Sequence, residues 1–220
     1  VVRNWVDLES FDGEGQPSRY RRELDVTDDD FVALYSGSLG AKQGLEVLLE
    51  TVRLLRDRPG IVFVVAGEGP MRGTLEQAAT ELPNLRVVGF QPEERFGQFL
   101  RLADLHVLPQ QRNAADLLMP SKLGGMLASG RRIVVTADPG TELADFLGAS
   151  CMIVPPGDST RLAQAIVEIA NGDDCQKAER GRLQRAALLS KSHGLKAFTQ
   201  TMLSSGPVPQ EAAIELRATT

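Results

Sequence analysis

Three residues, Pro120-Ser121-Lys122, stand between two apolar runs, Leu105-His106-Val107-Leu108-Pro109 and Arg132-Ile133-Val134-Val135-Thr136. Proline suits a first helical turn because its missing N–H would be unpaired there anyway. Serine caps the same end. Free backbone N–H groups at a helix start, with a lysine in the first turn, form an anion site. The stretch from Leu117 to Gly130 therefore predicts a phosphate-holding loop and helix start, with Pro120-Ser121 opening the helix. Lys122 is read as a point charge on a diphosphate, against the alternative of a solvated helix lysine.

Other groups point to the same chemistry. Gly37-Ser38-Leu39-Gly40-Ala41-Lys42-Gln43-Gly44 sets three glycines and a lysine between an apolar strand and an amphipathic helix. Glycine lets backbone N–H groups approach an anion closely. The spacing matches neither the Walker A pattern nor GxGxxG, and an ordinary tight βα turn would look the same. Lys42 is a further phosphate contact on the first reading. In Gly67-Glu68-Gly69-Pro70, Glu68 is either a ligand acceptor or an exposed carboxylate. Arg112 is a second cation or a solvated one. Asp116 and Glu142 would bind sugar hydroxyls, or serve turns and helix caps. His106 lies in an apolar strand and reads as a core contact; His193 lies near a charged helix. Asp28 to Asp30 reads as a solvated turn and Trp5 as packing. No Ser/His/Asp set, carboxylate pair or metal cluster stands out, so the groups are binding groups without a general base.

These groups need elements to position them. Short continuous apolar runs are expected as strands at Phe31–Ser36, Ile61–Ala66, Leu85–Gly89, Leu105–Pro109, Arg132–Thr136 and Cys151–Val154, covered on both faces. Helices are expected from Leu45, over Met71–Thr80 and Glu93–Ala103, after Ser121, after Glu142 to Leu147, over Ser159–Ala170 capped by Asp158 or Ser159, and over Asp173–Leu189. Ser18–Leu24 reads as a short exposed helix, Gly194–Leu203 as another, and Val1–Phe11 as an extended entry. The alternation predicts an α/β Rossmann-like doubly wound parallel sheet of about six strands. In such sheets ligands bind beyond the carboxyl ends of the strands. The turns Gly37–Gly44, Gly67–Pro70, Gly89–Pro92, Gln110–Ser121 and Asp138–Glu142 all fall on that edge.

The totals narrow the class. The 220 residues carry a net charge of −5, which argues against general nucleic-acid binding. Cys151 and Cys175 have no disulfide or metal spacing; Cys151, in an apolar run, is expected to be buried and inert, and reduced thiols fit a cytosolic protein. No apolar run reaches membrane-spanning length. The chain opens at Val1 without an initiator methionine and reads as a fragment. Residues 1–203 are expected to form one domain and 204–220 a flexible tail.

Taken in order, Asn4-Trp5-Val6-Asp7 with Phe11, Gly37-Ser38-Leu39-Gly40 with Gln43-Gly44, Gly67-Glu68-Gly69-Pro70, Val88-Gly89-Phe90, Met119-Pro120-Ser121-Lys122-Leu123 with Met126-Leu127-Ala128-Ser129-Gly130, and Asp138-Pro139-Gly140-Thr141-Glu142 resemble the C-terminal, donor-binding half of family 4 retaining glycosyltransferases of the GT-B arrangement. The Pro-Ser-Lys form is similar to enzymes of colanic acid and other bacterial exopolysaccharide biosynthesis. The resemblance implies a UDP- or GDP-linked sugar as substrate, with no metal and no cofactor, and a saccharide or lipid-linked acceptor. It sets Gly37, Ser38, Gly40, Lys42, Ser121 and Lys122 by the phosphates and Gly89-Phe90 by the base. It puts the acceptor site and the catalytic base in an N-terminal domain that these residues lack, so this chain alone would bind nucleotide weakly and transfer no sugar. A cytoplasmic enzyme working at the inner membrane face is the implied setting. Two features depart: the pair of glutamates eight apart in many family members reads Leu117 and Gly125, and the basic residue often found after the first glycine is Ser38. A non-catalytic nucleotide-binding module and a nucleotide-sugar epimerase are the alternatives.

Overall fold

The computed structural model describes residues 18–111, 119–172 and 176–190. Six strands form one sheet: β1 (Phe31–Ser36), β2 (Ile61–Ala66), β3 (Leu85–Val88), β4 (Leu105–Leu108), β5 (Arg132–Thr136) and β6 (Met152–Val154). All pairings are parallel and the order is β3-β2-β1-β4-β5-β6. The helices are α1 (Ser18–Glu23), α2 (Leu45–Leu54), α3 (Arg72–Ala79), α4 (Glu93–Arg101), α5 (Leu123–Ala128), α6 (Glu142–Leu147), α7 (Ser159–Asn171) and α8 (Gln176–Leu188). The expected Rossmann-like sheet is the one observed.

Its cause is visible strand by strand. Every residue of β2 is buried, which requires cover on both faces. Ala33, Tyr35, Phe63 and Val65 pack with Leu45, Leu48, Leu49 and Val52 of α2, Leu75 of α3, and Leu162 and Ile166 of α7. Their neighbours Val32, Leu34, Val62 and Val64 point the other way, onto Tyr20 of α1 and Phe99 and Leu100 of α4. The period-two alternation of strand side chains thus supplies two cores from one sequence run. Leu108, Ile133 and Val135 pack with α5, α6 and α8.

Asp158 is the cap of α7, accepting from the Arg161 N–H at 2.7 Å, and Thr141 caps α6. Arg182 of α8 is buried and donates to the carbonyls of Gly130 and Ser150.

Three expectations change. Helix α1 is not simply exposed: Tyr20 is buried edge-on against Phe99, with ring centroids 5.1 Å apart and Arg95 over its face. The charges at helical spacing conceal this one anchoring ring. Cys151 is half-buried and not in the core, because it precedes the short edge strand β6. The helix after the proline starts at Leu123, not at Pro120-Ser121; Lys122 holds its N-cap position without a side-chain cap, and Ser121 lies in the preceding turn. The Leu123 N–H bonds the Pro120 carbonyl at 3.0 Å, so the proline closes a tight turn and the helix follows it. Residue His106 is a core residue as expected, its Nε2 3.0 Å from Ser129 Oγ. The readings of Val1–Phe11, Trp5, Arg112, Asp116, Leu117, Asp173, Cys175, His193, Gly194–Leu203 and the tail lie outside the described residues.

Burial, followed by the charges of Arg131 and Arg182, drives the His106 imidazole down to about 3. Free imidazole titrates near 6.5, so between pH 6.5 and 3 the unfolded chain binds the extra proton. Stability is then complete above about pH 6.5 and falls as the pH drops toward 3, by up to about 1.4 kcal/mol per pH unit for this one group. Urea midpoints at pH 7, 5 and 4 should decline in the native protein, and decline less steeply in His106→Gln; equal slopes would contradict the buried neutral ring.

Candidate functional site

The winding of the sheet reverses between β1 and β4. The pairing register shows where the two strands part. β1 pairs with β2 along its whole length, through Ser36↔Ala66, but with β4 only at Ala33↔Leu105 and Leu34↔His106. From Tyr35 onward, at the carboxyl end, the two strands no longer pair. That is the place where open α/β sheets hold ligands.

Three turns crowd its rim. The Gly37 N–H continues the ladder to the Ala66 carbonyl at 2.9 Å, the Leu39 N–H reaches the Glu68 carbonyl at 2.8 Å, and the Gly67 N–H reaches the Val88 carbonyl at 3.0 Å. A Cβ on Gly67 would lie 1.8 Å from the Gly37 carbonyl oxygen, so the two turns touch backbone to backbone. The turn after β4 is tied in separately. Thr136 Oγ1 accepts from the Gln110 N–H at 2.6 Å and donates to the Gln110 carbonyl at 2.9 Å. Gln111 Nε2 then donates to the Ala41 carbonyl at 2.6 Å, joining the turns after β4 and β1.

Lys122 enters this rim from the turn before α5. Its Nζ donates to Tyr35 Oη at 2.9 Å and to Gln43 Oε1 at 2.9 Å, and lies 4.2 Å from the Tyr35 ring centroid. Its stem packs on Gly37: a Cβ there would be 3.3 Å from Lys122 Cδ and 3.2 Å from Nζ. Burial lowers the ammonium to about 8. Among the described residues no carboxylate pairs with it. Among the described residues its acceptors are neutral, and burying a charge is costly unless an opposite charge compensates it. Tyr35 is itself buried, and burial raises its phenol; its hydroxyl donates to the Ser38 carbonyl at 2.6 Å.

The other expected residues distribute as follows. Gly37 and Lys122 are in contact. Ser38, Lys42, Ser121 and Glu142 are exposed at the same sheet edge, and Gly40 is half-buried beside Lys42. Glu68 is not a free carboxylate: its Oε1 pairs with Arg72 Nη1, whose Nε also holds Glu76 at 2.8 Å. That pair lies beside Gly89, where a Cβ would be 3.1 Å from Glu68 Oε1. Phe90 is 64% exposed. Gly125, at the second glutamate position of the resemblance, is buried in α5 and presents no side chain. Tyr35, Gln43, Gln110, Gln111 and Thr136 were not singled out from sequence. The one available signal was a tyrosine closing an aliphatic strand, where a phenol needs a partner at the strand's end. No group of three or more potential metal ligands occurs among the described residues, and none of the described helices is long and apolar enough to cross a membrane.

The pattern of the family described as glycosyl transferases group 1 matches residues 30–172. The chain belongs to this family. The matched region runs from β1 through α7 and contains every turn of the rim. An Escherichia coli (strain K12) member named "Putative colanic acid biosynthesis glycosyl transferase WcaI" is 36% identical over 147 residues, covering 65% of this chain and 36% of that protein. The Bacillus subtilis (strain 168) member named "Putative teichuronic acid biosynthesis glycosyltransferase TuaC" is 31% identical over 73% of this chain and 39% of its own length. The chain thus spans well under half of these relatives. The structure of Anabaena Alr3699/HepE in complex with UDP and glucose superposes with a TM-score of 0.74 at 19% identity, covering 93% of this chain and 56% of that one. A glycosyltransferase from Rickettsia africae ESF-5 gives 0.75 at 14% identity, covering 91% and 55%. At these identities the likeness is one of fold.

Proposed function

We propose that this chain is the donor-binding half of a retaining glycosyltransferase of the GT-B, family 4 type, acting in bacterial exopolysaccharide or other cell-surface polysaccharide biosynthesis. The observation that carries it is the Lys122 ammonium, partly desolvated where β1 and β4 cease to pair and without a carboxylate among the described residues. A nucleoside diphosphate sugar, UDP- or GDP-linked, supplies the missing negative charge. Its pyrophosphate lies against the Gly37, Ser38 and Gly40 turn, with Lys42 and Ser121 at the rim. The base lies toward Gly89 and Phe90, and the sugar toward the edge bearing Glu142.

In transfer, the bond between the anomeric carbon and the phosphate oxygen breaks, the sugar passes to a saccharide or lipid-linked acceptor, and charge grows on the leaving diphosphate. A fixed ammonium stabilises that charge where water is excluded. Lysine does this without a metal or cofactor. The acceptor site and the catalytic base belong to an N-terminal domain, consistent with a chain that covers 36% and 39% of its relatives, and the cytoplasm, where the inner membrane face is within reach, is the setting. No part in nucleic-acid binding is proposed. Calorimetry of the full-length protein with UDP and with GDP tests the reading. One of the two should bind below millimolar concentration; binding of neither overturns it and leaves a module without a nucleotide role.

A further inference from the structure

Resting on that reading, we propose that Tyr35 is a positioning residue for the donor phosphates, acting through Lys122. Its hydroxyl is the hinge pin between the two phosphate-facing turns. It donates to the Ser38 carbonyl at 2.6 Å and accepts from Lys122 Nζ at 2.9 Å. One oxygen therefore fixes both the turn after β1 and the cation delivered from the turn before α5, two segments 79 or more residues apart in sequence.

The placement follows from the strands. Tyr35 is the first residue of β1 beyond its pairing with β4, since that pairing ends at Leu34↔His106. Its ring is held in the core, 1% exposed, among residues of β2, α2 and α3. The ring is closely packed, so the hydroxyl has a defined place, and a lysine with four rotatable bonds is confined by the ring face on one side and the Gly37 backbone on the other. Gln43 gives the ammonium a second neutral acceptor at 2.9 Å. The half-buried Gln43 amide is the acceptor that a phosphate oxygen can replace, whereas the buried Tyr35 hydroxyl keeps its bond with ligand present. Tyrosine and glutamine are neutral, so the charge they orient stays available to the ligand.

Among the described residues the groups facing the ammonium are few. β1 presents the Tyr35 phenol, itself held protonated by burial; the 3₁₀ turn presents Gln43; and its neighbour Lys42 is exposed. Desolvation is the cause of the Lys122 shift to about 8. Removing one acceptor from this ammonium favours the neutral amine further.

Tyr35→Phe deletes the one oxygen and leaves the ring. In the full-length protein, affinity for UDP or GDP, whichever binds, should fall about tenfold, the range for a lost hydrogen bond to a charged group. The alkaline limb of the affinity–pH profile should also move to lower pH, which a merely structural loss would not cause. In the Lys122→Met background the same change should have no further effect on affinity, since the route runs through the lysine. Unchanged affinity and an unmoved limb in Tyr35→Phe, with Lys122→Met still impaired, overturn this inference and leave the donor reading intact. Equal tenfold losses in both backgrounds overturn it as well. Lys122→Met without effect removes the donor reading itself.

Discussion

Lys122→Ala is expected to weaken nucleotide diphosphate binding by at least about thirtyfold, the lower end of the cost of truncating one partner of a buried charge pair. The loss should not come from unfolding. The ammonium is held by Tyr35 and Gln43, both neutral, so removing it leaves no unpaired charge behind. The Tyr35 hydroxyl keeps its bond to Ser38. Urea midpoints at pH 7 should therefore stay within about 1 kcal/mol of the native protein, or rise, since a desolvated cation with no counter-charge among the described residues is a burden on the unliganded fold.

The pH dependence separates this from a packing effect. The folded lysine titrates at about 8 against a usual 10.5. Affinity for the diphosphate, which needs the cation, should be full below pH 8 and fall above it. Stability of the unliganded protein should move the opposite way. Between about 8 and 10.5 the unfolded chain binds the proton that the folded chain has released, so this group's contribution to stability rises with pH across that window. Calorimetric affinity and urea midpoints measured at pH 7, 8 and 9 should cross in this manner, and Lys122→Ala should lose the pH-dependent component of both. A lysine whose removal leaves the affinity unchanged at pH 7 would mean that the phosphates lie elsewhere.

The fold was legible because its strands are continuous apolar runs. Phe31–Ser36, Ile61–Ala66 and Arg132–Thr136 coincide with their observed bounds, since burial on both faces leaves little freedom in where such a run begins and ends. The rim was legible only in part. Gly37 and Lys122 meet because strand direction alone sends every βα turn to one edge. Tyr35, Gln43 and Gln111 were invisible for the complementary reason: their roles are fixed by contacts across 70 or more residues, which no local spacing encodes. The start of α5 was misplaced because Pro120 and Ser121 satisfy the chemistry of a helix start equally well in a tight turn. Of the two readings of Glu68, the exposed carboxylate holds, but its pairing with Arg72, one helical turn on, could not be distinguished from the presence of any other surface arginine.

Gly67→Ala is expected to cost more than about 3 kcal/mol of stability, in the range of backbone strain combined with overpacking. Two effects act together. Gly67 has φ +149°, a region that residues with a Cβ rarely adopt, and the added methyl would stand 1.8 Å from the Gly37 carbonyl oxygen. Neither partner can yield cheaply, because Gly37 and Gly67 both continue the sheet ladder by their N–H groups. Three glycines serve as internal standards. Gly60 and Gly140 have φ of +78° and +80° and nothing within 4 Å, so alanine there meets strain alone, about 1–2 kcal/mol. Gly73, inside α3 with open space around it, should gain about 0.5–1 kcal/mol as alanine. Urea titration of the four variants should give Gly67→Ala the lowest midpoint, Gly73→Ala the highest and the other two between. Where Gly67→Ala still folds, the displaced Gly37 turn carries its contact with Lys122 away from the rim, and nucleotide affinity should fall with it. A Gly67→Ala protein as stable as Gly60→Ala would show that the turns after β1 and β2 do not touch, and with that contact would go the geometry that holds the lysine at the rim.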